Sequence, residues 1–247
     1  MAIHDFNAQR LFVDQPLGPG TTVALSGEQA NYLVNVLRMR AGDAILVFNG
    51  RDGEWRAVLA EVAKRRAALA VGEQARPQEA GPDIDYLFAP LKRARLDYMV
   101  QKAVEMGVAR LRPVITRHTV AERVNLDRMR ANAIEAAEQC GILRLPDIVA
   151  PARLDAVLTG WDARRRLIFC DEAAPPGGPL GALAGIERGA PVAVLVGPEG
   201  GFSEEERARI LALPQALAIS LGPRIMRADT AAVAALALVN AVVGDWG

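Results

Sequence analysis

Short apolar runs broken by turn residues fill the first seventy or so positions. RLFV (10–13), TTVAL (21–25) and the longer AILVFNGRDGEWRAVLAEV (44–62) have the alternation and flanking turns of strands. Their spacing predicts a small β-barrel. One helix is predicted inside it over residues 28–37. Ser26 with Gln29 three positions later makes a capping box, and Leu33, Val36 and Leu37 share a face. The stretch EQARPQEAGPD, from position 73, is polar, carries two prolines and has no period, which reads as a linker. The expected organisation is a small β-barrel domain over 1–72, a linker over 73–82 and a second domain over 83–247.

Beyond the linker, strands and helices alternate, the pattern of a mostly parallel sheet with helices packed on it. The strands expected are IDYLFAP, ARLRPVIT, RLIFC, PVAVLVG and LAISLG, and the helices fall at 96–106, 125–140, 180–186, 203–213 and 230–243. Ser203 with Glu206 forms a second capping box, so the helix there starts sharply. The last helix is apolar nearly all round with alanine on most faces, and such a helix is buried on several sides. Its apolar run is interrupted by Asn240 and too short to span a bilayer, and the N-terminus lacks the apolar stretch of a secretory signal. A cytoplasmic protein is expected.

Composition narrows the chemistry. Of 247 residues, 51% are hydrophobic and only two are histidine and two cysteine. Cys140, Cys170, His4 and His118 fit no metal-ligand spacing, so no metal is expected and the cysteines read as packing residues. The 29 basic and 29 acidic residues cancel overall but not locally: residues 83–170 carry 15 basic and 11 acidic groups, residues 171–247 carry 5 and 9. Ten lysines and arginines fall within 92–130 against four acids, a candidate phosphate-contacting face or a scatter of solvated arginines.

The most informative turn is LVGPEGGFSEEE (195–206), an apolar strand running through glycines into an acidic helix start. Backbone N–H groups at such a turn attract anions. Here the P-loop lysine and the GxGxxG spacing are both missing, and three acids follow, so the turn suits a neutral or cationic ligand. A second glycine-bearing turn, LGPRIMRADTAAVAALALV (221–239), follows the last strand. In an open parallel sheet both turns emerge at the carboxyl ends, where ligand crevices form.

These two segments together resemble the C-terminal signature of the SPOUT methyltransferases, most closely the 16S ribosomal RNA uracil-N3 methyltransferase family. NYLVNVLRMRAGD (31–43), LKRARLDYMVQKAVEMGV (91–108) and EAAEQCGILRLP (135–146) are similar to that family's barrel, first-helix and Glu-Gln segments, so the resemblance spans nearly the whole chain. It departs at two places. The family's usual Leu-Arg-Thr-Glu-Thr run stands here as Met226, Arg227, Ala228, Asp229, Thr230, and an arginine often found near position 142 is Ile142.

The resemblance implies an α/β fold in which a small N-terminal PUA-like β-barrel RNA-binding domain over 1–72 precedes a parallel-sheet SPOUT domain with a C-terminal trefoil knot, S-adenosyl-L-methionine as cofactor, 16S ribosomal RNA within the 30S subunit as partner, and a homodimer through the last helix. It implies cofactor contacts from Leu195, Val196, Gly197, Gly200, Gly201, Leu221, Gly222, Ile225, Met226 and Arg227. The expected catalytic residues are Arg227, to stabilise charge on the uracil, and Glu199 or Asp229, either of which can take the N3 proton or orient the cofactor. Arg38, Arg40, Lys92, Arg93, Arg95, Lys102 and Arg117 are the expected RNA contacts, with Tyr32, Tyr98 and Phe202 as candidate stacking or core residues. Glu135, Glu138 and Gln139 share one helical turn suited to bonding a neighbouring loop. Competing readings keep the fold but methylate another RNA position such as a ribose 2′-hydroxyl, or bind RNA as a non-catalytic assembly factor.

Overall fold

The computed structural model describes residues 8–63, 66–120, 123–174 and 178–247. The chain forms two compact units, residues 1–80 with 137–145, and residues 81–136 with 146–247.

In the first unit, β1 (Arg10–Phe12), β2 (Thr22–Ala24), β3 (Ala44–Phe48), β4 (Glu54–Ala63) and β5 (Arg66–Arg76) make one sheet in the order β1-β3-β4-β5-β2. β1 pairs with β3 in parallel, and the other ladders are antiparallel. Every strand contributes to one core, with Leu11, Val23, Val47, Leu59 and Leu69 among its buried residues. No ladder joins β1 to β2 among the described residues, so the barrel-like sheet is open at that seam. β5 continues through Arg76, which moves the start of the expected 73–82 linker later: the strand's alternation persists into polar residues that only its ladder with β4 reveals.

The helix expected over 28–37 is α1 (Gly27–Asn31), begun by the Ser26–Gln29 capping box, followed by a π-helical turn over Tyr32–Val36 in which Leu37 N–H donates to Tyr32 O. Arg38 leaves that turn with φ +60°, a conformation uncommon for a non-glycine residue. Beneath it, Glu54 accepts from both Arg10 (2.9 Å) and Arg76 (2.8 Å), and Glu138 accepts the Phe12 N–H at 2.8 Å.

The second unit is a parallel sheet of β6 (Ile84–Phe88), β7 (Arg110–Ile115), β8 (Asp147–Ile148), β10 (Arg166–Cys170), β11 (Val192–Val196) and β12 (Ala216–Ile219), with β9 (Ala152–Arg153) beside β7. The order is β12-β10-β11-β6-β7-β8. Buried on both faces, β6 and β11 are continuously apolar but for Asp85, as parallel central strands require. One face packs α4 (Leu154–Thr159) and α6 (Glu204–Leu211) over Leu87, Phe169 and Leu195. α7 (Ala228–Val242) packs on β11, and against it lie α2 (Arg93–Glu105) and α5 (Pro179–Leu183). α3 (Leu126–Cys140) belongs to this unit over residues 126–136, its last four residues counting with the first unit. Asp85, fully buried at the amino end of β6, is neutralised by Arg110 at 2.6 Å, Arg112 at 3.2 Å and Arg165 at 3.5 Å.

Candidate active site

A cleft opens at the carboxyl ends of β10, β11 and β12. The two glycine turns do not leave adjacent strands: β10 lies between β11 and β12. The loop leaving β10 therefore forms the middle wall, and it brings Asp171, Glu172 and Ala173 into the cleft with Phe169 and Cys170 below them. Sequence reasoning missed this loop because DEAA after a strand carries no glycine signal; only the strand order exposes it.

The loop after β11 is shaped by close contacts. A Cβ on Gly197 would lie 2.5 Å from the Phe202 ring, which itself packs edge-on against Phe169 with centroids 5.2 Å apart. Gly201 has φ +68°, where glycine carries no steric cost, and its Cα faces Glu172 so closely that a Cβ would stand 3.3 Å from Oε1. Of the expected cofactor residues, Val196, Gly197, Gly201, Leu221, Gly222, Ile225 and Met226 line the cleft. Leu195, Gly200 and Arg227 do not. Leu195 is fully buried in the α4/α6 face, and its side chain is a core residue.

The acids are acceptors with different surroundings. Glu199 lines the cleft but is ion-paired with Arg95 from the first turn of α2, so this carboxylate and one expected RNA contact neutralise each other. Asp229 is half-buried in the first turn of α7, where its Oδ1 accepts the Thr230 N–H at 2.8 Å. Asp171 is held by Arg207 at 2.9 Å, which ties the β10 loop to α6. Arg227 is the N-cap residue of α7, exposed, with no acid paired to it among the described residues. The lining contains no lysine; of its three carboxylates, Asp171 and Glu199 are paired with Arg207 and Arg95, while Glu172 has no cationic partner among the described residues and Arg224 also faces the cleft.

Comparison with known proteins settles the family. Residues 78–240 match the RNA methyltransferase domain and residues 25–71 the RNA methyltransferase PUA domain. The chain belongs to the RNA methyltransferase family. It is 31% identical to the ribosomal RNA small subunit methyltransferase E of Synechocystis, covering 90% of this chain and 74% of that one, and 26% identical to the Rickettsia conorii protein of the same name, covering 94% of each. The solved ribosomal RNA small subunit methyltransferase E of Neisseria gonorrhoeae, bound to S-adenosyl methionine, superposes with a TM-score of 0.85 at 28% identity over 98% of this chain and 100% of that one.

The cations of this RNA methyltransferase-family chain are less free than their number suggests. In the basic 92–130 stretch, Arg95 is paired with Glu199, Lys102 with Glu105 at 2.7 Å, Arg128 with Asp97 at 2.6 Å, and Arg110 and Arg112 with Asp85. Lys92, Arg93 and Arg117 are exposed without an acidic side-chain partner among the described residues, as are Arg38 and Arg40 of the first unit. Tyr98 is 45% exposed beneath Lys102, whose Nζ lies 5.6 Å from the ring, whereas Tyr32 is half-buried against the first unit's core. Cys140 is exposed, contrary to its expected packing role. Cys170 is partly buried at the cleft, and its surroundings push the thiol up to about 12. Beside it, the buried Tyr86 hydroxyl lies 3.1 Å from Met99 Sδ, and burial, then the negative charges of Cys170 and Asp229, hold its pKa well above 10. Among the described residues, no cluster of histidine, cysteine and carboxylate side chains can hold a metal, and no helix is long and apolar enough to cross a membrane.

Proposed function

We propose that this chain transfers a methyl group from S-adenosyl-L-methionine to N3 of a uridine in 16S ribosomal RNA. The observation that carries the reading is the cleft itself: backbone of glycine turns, a carboxylate-bearing middle wall, no lysine, and at the head of α7 an arginine with no acid paired to it among the described residues. The small-subunit ribosomal RNA target is supported by the names of the full-length relatives. The cofactor is supported by the neighbour solved with it.

The cleft residues fit that cofactor. Val196, Gly197, Gly201, Leu221, Gly222 and Met226 would hold it through backbone and apolar contact, and Glu172 would favour its positive sulfur, Asp171 being already met by Arg207. When bound, S-adenosylmethionine supplies an activated methyl group, so the protein's task is alignment, charge and proton removal. N3 of uracil keeps its proton at neutral pH, and the anion left on losing it spreads onto O2 and O4. Arg227, with no internal carboxylate to satisfy, is the cation we assign to that charge. Asp229, in the first turn of α7 with no cation paired to it among the described residues, is favoured over Glu199 as the acceptor, because the Glu199 carboxylate is already engaged by Arg95.

The same reading takes the 1–72 segment as an RNA-binding domain presenting Arg38 and Arg40, with Lys92, Arg93 and Arg117 as contacts of the 83–247 domain. It includes a trefoil-knotted C-terminal chain, a homodimer through α7, and a cytoplasmic site of action on the 30S subunit. Purified protein, S-adenosylmethionine and 30S subunits from a strain lacking the relative, followed by nucleoside analysis of the 16S RNA, tests it. 3-Methyluridine is the expected product. A 2′-O-methyl nucleoside would move the target to ribose, and RNA binding without methyl transfer would make the chain an assembly factor.

A further inference from the structure

The turn after β7 is fastened to the outer side of the cleft's glycine loop. His118 Nδ1 lies 3.1 Å from Gly200 O and 3.1 Å from Gly201 O. Both partners are carbonyl oxygens that only accept, so Nδ1 carries the proton and donates to the pair. Next to it the Arg117 N–H donates to Glu206 Oε1 at 2.7 Å, while Glu206 Oε2 accepts from Ser203 N–H at 3.0 Å. One glutamate thus caps α6 and anchors the 116–119 turn. The approach is close: a Cβ on Gly200 would stand 3.3 Å from His118 Cβ.

The carbonyl and the N–H of one trans peptide point in opposite directions. With Gly201 O held by His118, the N–H of Phe202 is turned to the other side. Phe202 lines the cleft, and its N–H meets no protein acceptor among the described residues. We propose that His118 is a positioning residue, which fixes the Gly201–Phe202 peptide so that its N–H is presented to a hydrogen-bond acceptor of the ligand in the cleft. The inference rests on the reading of that cleft as the S-adenosylmethionine site.

Three variants separate the donor from the mere presence of a side chain. In His118→Asn the amide nitrogen can stand where Nδ1 stands and donate to the same carbonyls. His118→Asp has the same shape but offers only acceptors, which face two carbonyl oxygens. His118→Ala removes the group. Calorimetry with S-adenosylmethionine is expected to find Asn within about threefold of wild type, Ala weaker, and Asp weaker by about tenfold or more, the cost of one lost hydrogen bond plus unpaired acceptors. Thermal melting is expected to be unchanged for Asn, and the KM for 30S subunits unchanged for Asn and Ala. Equal affinities for Asn and Asp overturn the proposal. If the Asp variant fails to fold, equal affinities for Asn and Ala overturn it instead. Failure of the wild type to bind S-adenosylmethionine refutes the cleft reading rather than the role of His118.

Discussion

At the scale of single residues, the decisive contrast is between Arg227 and the arginines around it. Arg207 is engaged by the buried Asp171, Arg95 by Glu199 and Arg165 by Asp83, but Arg227 stands at the N-cap of α7 with no acid paired to its guanidinium among the described residues. An arginine kept only to start a helix would be an odd choice, because its charge opposes the positive end of the helix dipole. Arg227→Ala is therefore expected to fold normally and bind S-adenosylmethionine nearly as wild type, since Arg227 does not line the cleft. Its single-turnover methylation of 30S subunits should fall by about a hundredfold or more, the usual cost of removing one charge-stabilising donor. A wild-type rate would return Arg227 to the role of a helix-start residue. The glycines of both turns were legible in the sequence because their spacing after apolar strands has a local cause. His118, Glu172 and the Glu199–Arg95 pair were not, because each acquires its role from a partner far along the chain.

At the scale of elements, local signals served well where the local chain decides. Both capping boxes form as their spacing predicts, Ser26 with Gln29 and Ser203 with Glu206. β8, β9 and α4 escaped prediction, being two to six residues long with no room for a period to show. The apolar helix near the C-terminus was legible as buried, and its faces now divide. Ala231, Ala235, Leu236 and Val239 are buried within the chain, α7 packing against α2, α5 and β11. Val233, Ala234, Ala237 and Leu238 form a second, half-exposed apolar stripe. That outer stripe is where the proposed homodimer would form, with small residues allowing close helix approach. Ala237→Glu is expected to convert a particle of twice 26.4 kDa into one of 26.4 kDa by light scattering, with its circular dichroism unchanged. Ala235→Glu places a carboxylate in the core and is expected to unfold the chain instead. A wild-type mass of one chain would refute the dimer.

At the scale of the molecule, both units hold a buried carboxylate between arginines, Glu54 in the first and Asp85 in the second, and the second also holds groups that burial keeps neutral, which adds an alkaline limit of its own. In the first unit, Glu54 is buried between Arg10 and Arg76, and although burial opposes ionisation, the two arginines win and hold its pKa below the ordinary 4.5. A carboxyl with a lowered folded pKa adds stability that is present above 4.5 and lost as the pH falls below it. Protonation there also leaves two guanidinium groups without their carboxylate. The lowered carboxyls of the second unit, Asp97 and Asp162, are paired with the exposed Arg128 and Arg164, where such pairs contribute little. Besides the buried Asp85, its constrained groups are Tyr86 and Cys170, both raised by burial. A raised folded pKa adds stability that is complete below the unfolded value and lost as the pH climbs through the folded one, here from about 9 towards 12 for the thiol. Trp55 reports on the first unit and Trp161 and Trp246 on the second. With Trp161→Phe and Trp246→Phe combined, the remaining fluorescence is expected to lose urea resistance as the pH is lowered from 5 to about 3. With Trp55→Phe, the loss is expected as the pH is raised from 9 to about 11, and Cys170→Ala should lessen it. If both reporters weaken together at both ends of the scale, the two units do not carry separate limits and the buried groups named here are not what sets them.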